Sequence, residues 1–227
     1  MLTRPQARLG AVLATLVAVS SLAGCSGDSS STARDTSPTT RAATGPACSY
    51  PSDGRPAAKK VALPPDHAAV SGSEDVTIST SAGDIKATLD ADTTPCTVNS
   101  FVSLADQGYF DKTPCHRLTT QGIYVLQCGD PTGTGSGGPG YSFPDELSGH
   151  ETYGPGVLAM ANAGPDTNGS QFFIVYADSS VLHPDYTVFG KVDSAGLKLV
   201  KGIAAKGTGP DGIAPKEKVE ITTVKAD

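Results

Sequence analysis

From Val76 to Leu89 apolar and polar residues alternate on both sides of a Gly83-Asp84 pair (VTISTSAGDIKATL), the pattern of two strands joined by a tight turn. The period then changes. Val98, Phe101, Val102 and Ala105 fall at i, i+3, i+4 and i+7, one face of a helix. Thr94 offers a cap, Pro95 suits the first helical position, and Gly108 suits the stop. Short strand-like runs follow: HRL, YVLQ, GVLAMA, QFFIVY and TVFGKV. Leu197, Val200 and Ile203 share one side of a second helix expected over Ala195 to Ala204, and KVEITTV reads as a last strand. Many short strands and two helices predict a mainly β domain, a barrel or sandwich with helical caps, over residues 73–227.

The start of the chain follows another logic. Arg4 and Arg8 precede an apolar run from Leu9 to Val19, too short to span a bilayer, and Leu22 to Cys25 reads LAGC. That order resembles a bacterial lipoprotein signal, with residues 1–24 removed and Cys25 acylated. The expected location is the extracytoplasmic face of the cell membrane, held by the lipid anchor. Residues 25–72 are rich in Ser, Thr, Ala, Pro and Gly and read as a flexible tether; Cys48 and Tyr50 are unusual within it, so part of it is expected to lie back on the domain.

Composition narrows the function. There are 17 basic against 23 acidic side chains, a net charge of −6, and two of the bases lie in the signal segment. That balance excludes nucleic acid as a partner. Besides Cys25 the chain has Cys48, Cys96, Cys115 and Cys128, an even set in an exported chain, hence two disulfides with three connectivities open. A cross-strand Cys115–Cys128 bond is conceivable and would leave Cys48 for Cys96. No metal-ligand spacing occurs, so neither metal nor cofactor is expected. The glycine-rich stretch Gly133–Gly140 runs into Pro139 and an acidic pair rather than a helix, which argues against a phosphate loop. Ser170 lacks the elbow of a hydrolase nucleophile.

The segments CHRL, LQCGDPTGTGSGGPGY, GVLAMANAGPDTNGSQFFI and LHPDYTVFGKV together resemble the cyclophilins, and their wording resembles an actinobacterial branch. The resemblance implies a closed eight-stranded antiparallel β-barrel capped by two helices. It implies peptidyl-prolyl cis/trans isomerase activity on proline-containing segments of exported proteins, by a monomer. It assigns catalysis to Arg117, Gln127 and Asn162. It assigns substrate contact to Tyr124, Val125, Ala161, Ala163, Gln171, Phe173, Leu182 and Tyr186. The chemistry suits such a set, because twisting an X–Pro amide breaks no bond and needs no nucleophile. The alternative is a proline-peptide-binding module or holdase with little turnover; Arg117 favours the enzyme, since binding alone does not require it. Because neighbours on a strand alternate faces, Phe172 and Phe173 are expected to send one ring to the core and one to the site.

Overall fold

The structure, a computed structural model, describes residues 44–227; Cys25 and the signal segment lie outside them. Nine strands form one strongly curled antiparallel sheet. They are β1 (Ser73–Thr80), β2 (Gly83–Asp90), β3 (Thr113–Pro114), β4 (Arg117–Leu118), β5 (Val125–Cys128), β6 (Val157–Met160), β7 (Phe172–Val175), β8 (Val188–Val192) and β9 (Glu220–Ala226). The order is β3-β9-β1-β2-β8-β6-β7-β5-β4. Its two edge strands, β3 and β4, are separated in the chain only by Cys115 and His116. No ladder joins β3 to β4, so the sheet is a strongly curled half-barrel of nine strands where the resemblance implies a closed eight-stranded barrel.

The hairpin turn sits at Ser81-Ala82, not at Gly83-Asp84: Thr80 faces Gly83, and Asp84 pairs with Ser79. The Thr80 hydroxyl fixes that turn, accepting from the Ala82 N–H and donating to the Gly83 carbonyl. Helix α1 (Pro95–Asp106) packs on β9, and α2 (Ser194–Ala204) packs on β2. Thr94 does not cap α1 with its side chain. Glu146, from a loop 50 residues away, accepts from the first free N–H groups at Cys96 and Thr97. Gly108, at φ +65°, ends the helix: its N–H bonds the Ala105 carbonyl and that of Tyr109 bonds Leu104.

The main core is aromatic, with the Phe101 ring against those of Phe110, Phe172 and Phe189. A smaller cluster of Val125, Tyr153, Val157, Ala159, Phe173 and Val175 lies on the sheet's other face. The two adjacent phenylalanines do separate, Phe172 into the main core and Phe173 into the second cluster.

From residue 44 onward the expected tether is instead laid on the domain. Tyr50 is buried, donating to the Cys96 carbonyl and accepting from Asn99. Ala68 and Val70 are buried too, and Cys48 is bonded to Cys96 at the start of α1. A single disulfide and one large ring outweigh a composition that carries no apolar period.

Candidate active site

Three antiparallel register pairs bring the candidate residues together. Arg117 on β4 faces Gln127 on β5, and Gln127 faces Phe173 on β7, which faces Ala159 on β6. The Cys115–Cys128 disulfide braces β4 against β5 beside the first pair. Arg117 projects to the surface, and its Nη1 donates to Gln127 Oε1 at 3.1 Å. Gln127 Nε2 donates to Gln171 Oε1 at 2.9 Å, and Gln171 Nε2 donates to the Gly135 and Gly137 carbonyls at 3.0 Å. Each amide fixes the one before it, so the guanidinium is held in one orientation by a chain ending on backbone.

That loop is rigid for an electrostatic reason. The buried Asp130 carboxylate accepts from the N–H groups of Thr132, Gly135 and Gly137. Burial works to raise its pKa, but these bonds and the Thr132 hydroxyl outweigh burial and hold it below the usual 3.8. An acid already occupies the N–H groups that a phosphate would need.

Arg117 stands at a cavity of about 170 Å³ lined by Val125, Phe173, Leu182 and Ile123, with Gln127, Ala161, Asn162 and Tyr186 around them. Among the described residues Arg117 is the only charged one in its lining. The Phe173 ring meets Tyr186 edge-on, with centroids 5.6 Å apart. Beneath them Tyr153 donates its hydroxyl to the Tyr186 carbonyl and accepts from the Tyr186 N–H, tying that loop down. Burial pushes the Tyr153 phenol up to about 12, so it stays a donor. Asn162 donates to the Asp185 carbonyl at 2.8 Å and accepts from the Gly164 N–H, which locks the opposite wall. His116, beside Arg117, is buried, and burial holds its imidazole below the usual 6.5 against the pull of Asp130.

A second cavity of about 430 Å³ adjoins the first and shares Gln127, Ala161 and Asn162 with it. Ala163 and Gln171 line this second space, not the first. Tyr124 lines neither. It packs against Tyr176, centroids 5.9 Å apart, on the main-core side of β5. Alternation explains the correction: Ile123, Val125 and Gln127 share the cavity face, and Tyr124 and Leu126 the other. Ile123 takes the place expected of Tyr124, and counting back by twos from Gln127 would have found it. Nothing in the sequence signals Tyr153, which acts from a loop 33 residues before Tyr186. A larger cavity of about 630 Å³ beside α2 contains none of these residues. Among the described residues no cluster of three His, Cys, Asp or Glu could hold a metal ion.

Comparison with known proteins covers the same part of the chain. Residues 75–226 match the family described as "Cyclophilin type peptidyl-prolyl cis-trans isomerase/CLD". A "Probable peptidyl-prolyl cis-trans isomerase B" of Mycobacterium tuberculosis is 47% identical over 198 residues, covering 79% of this chain and 64% of that protein. Its namesake in Mycobacterium leprae is 46% identical, over 79% of this chain and 66% of its own length. The match thus spans less than two thirds of the mycobacterial relatives. A crystal structure of a Cryptosporidium parvum cyclophilin type isomerase superposes with a TM-score of 0.62 at 32% identity, over 68% of this chain and 98% of that one. A second structure of that protein, in the presence of the dipeptide Ala-Pro, gives 0.61 at 33% identity, over 67% and 98%.

Proposed function

The chain belongs to the cyclophilin-type peptidyl-prolyl cis-trans isomerase family, and from that premise we propose that its domain isomerises X–Pro bonds in exported proteins, outside the cell membrane to which Cys25 anchors it. The observation that carries the reading is Arg117, held by Gln127 at a small cavity whose lining includes Phe173, Val125, Leu182 and Ile123. The cavity takes the pyrrolidine ring. The barrier to rotation is amide resonance, about 18–20 kcal/mol. Twisting the amide returns a lone pair to the prolyl nitrogen. A guanidinium fixed beside that nitrogen binds the twisted form better than the planar one, and only such differential binding lowers the barrier. No proton or covalent bond changes hands, which suits a cavity without nucleophile or acid. Asn162 and Gln171 border the path on which the peptide backbone lies.

Export and anchoring rest on the charged, apolar and LAGC order at the N-terminus, and on two disulfides, which persist in oxidising compartments. Mass spectrometry of the mature N-terminus should find a diacylated or triacylated Cys25; an unmodified cysteine contradicts the anchor. Activity is tested on the full chain in detergent, by exchange spectroscopy of a proline-containing tetrapeptide. Accelerated exchange that Arg117→Ala slows at least about tenfold supports the enzyme. Peptide binding with no acceleration turns the reading into that of a holdase.

A further inference from the structure

The second cavity is built partly by residues that precede the family match, which begins at residue 75. Asp53 and Arg55 line it, and among the described residues they are the only charged ones that do. They belong to the N-terminal segment that the sequence reads as tether. That segment is fixed along the cavity's rim: Asp53 N–H bonds the Gly140 carbonyl, Ser142 N–H bonds Pro51, and Ala58 N–H bonds Gly138. The buried Tyr50 and the Cys48–Cys96 disulfide hold its near end. We propose that this segment forms a substrate subsite in which Arg55 selects an acidic side chain two residues from the substrate proline. The proposal rests on the isomerase reading for its occupant.

Spacing and charge carry it. Side chains two apart in an extended peptide point the same way, about 6.5 Å from one another. A proline ring in the small cavity thus sends such a side chain over Ala161 and Asn162, the shared wall, into the second cavity. There the two charges are presented unequally. The Asp53 side chain is 10% exposed and Arg55 63% exposed, so the acid is turned inward and the cation outward. Arg55 Nε and Nη2 donate to Asp53 Oδ2 at 3.2 and 3.1 Å, and Nη1 donates to the Ser136 carbonyl at 3.4 Å. A guanidinium has five N–H donors, so two remain for a carboxylate. Asp53 also orients the fork, leaving less side-chain entropy to lose when the ligand binds. Elsewhere the cavity's described lining is neutral, so a lysine at the same substrate position meets the outward guanidinium while the carboxylate that partners it is turned inward.

The test uses the detergent-solubilised full chain with both disulfides formed. Two peptide series carry Glu, Gln or Lys at one position, two residues before the proline in one series and two after it in the other. Affinity is read by calorimetry and isomerisation by exchange spectroscopy. In one series Glu should bind about two- to fivefold more tightly than Gln, and Lys more weakly, the range for a partly exposed ion pair. The preference should shrink at about 0.5 M salt. Arg55→Gln should abolish the Glu:Gln ratio, and Arg55→Glu should make Lys the preferred residue. If Arg55 only staples the segment to the loop, Arg55→Gln lowers thermal stability and leaves the ratio intact. An intact ratio in Arg55→Gln overturns the proposal, as does the absence of any Glu preference, or of binding, in both series. Failure of the isomerase reading looks different: the ratio is present, but no peptide exchanges faster than it does free in solution.

Discussion

At the scale of single residues, the site depends on which way each side chain of β5 faces. Arg117, Gln127, Asn162 and Phe173 were legible because their sequence context resembles a family. Tyr124 was misplaced because resemblance transfers a position and not the phase of the strand. The turn before β5, with Gly122 at φ +73° and a bridge between Gln121 and Ile123, sets that phase. The cavity then takes Ile123, and Tyr124 goes to Tyr176. Ile123→Ala should therefore weaken peptide affinity about three- to tenfold, the worth of a few apolar carbons against a ring. Tyr124→Phe keeps the ring against Tyr176 and should leave KM within a factor of two. A KM raised more by Tyr124→Phe than by Ile123→Ala would restore the first assignment.

At the scale of elements, periodicity served wherever an element is long enough to show a period. The β1–β2 hairpin, α1 and α2 could be read that way. The two-residue strands β3 and β4 are too short to carry a pattern, although β4 presents Arg117. Nor could the sequence show that α1 is capped by Glu146 rather than Thr94, since that contact is made only once the chain has folded. The segment from residue 44 to 72 was legible only in part, through Cys48 and Tyr50, for a related reason: its hold on the domain comes from Cys48–Cys96 and Tyr50, not from a period. The disulfide there closes 48 residues and Cys115–Cys128 closes 13. By chain entropy these are worth about 4 and about 3 kcal/mol. Replacing Cys48 and Cys96 together by serine should cost more stability in denaturant titrations than the same change at Cys115 and Cys128. It should also open residues 44–58 to proteolysis. A segment still resistant after that change would place its anchorage elsewhere.

At the scale of the whole molecule, two buried groups couple folding to acidity. The His116 pKa lies below its usual 6.5 in the folded state, chiefly through burial. Its contribution is intact above about pH 6.5 and is lost as the pH falls towards the lowered value, because the unfolded chain takes up the proton first. Asp130, also lowered, contributes fully above its usual 3.8 and loses that contribution as the pH falls through its folded value. The melting temperature should thus decline between pH 7.5 and 5.5, and again as the pH falls below the usual 3.8 of a carboxylate; His116→Asn should flatten the first decline. A Tm that rises on acidification from 7.5 to 5.5 would contradict the assignment of a buried neutral His116. The same fold that buries these groups sets the Arg117 cation at a small cavity lined in part by Phe173, Val125 and Leu182, and whether that cation lowers the barrier is the central claim. The most direct measurement is the cis/trans exchange rate of an Ala-Pro tetrapeptide with the wild-type chain and with Arg117→Ala, both confirmed folded by circular dichroism. The account predicts rapid exchange with wild type and a loss of at least about tenfold, some 1.4 kcal/mol of transition-state preference, in the variant. Equal exchange rates in two equally folded proteins would contradict it.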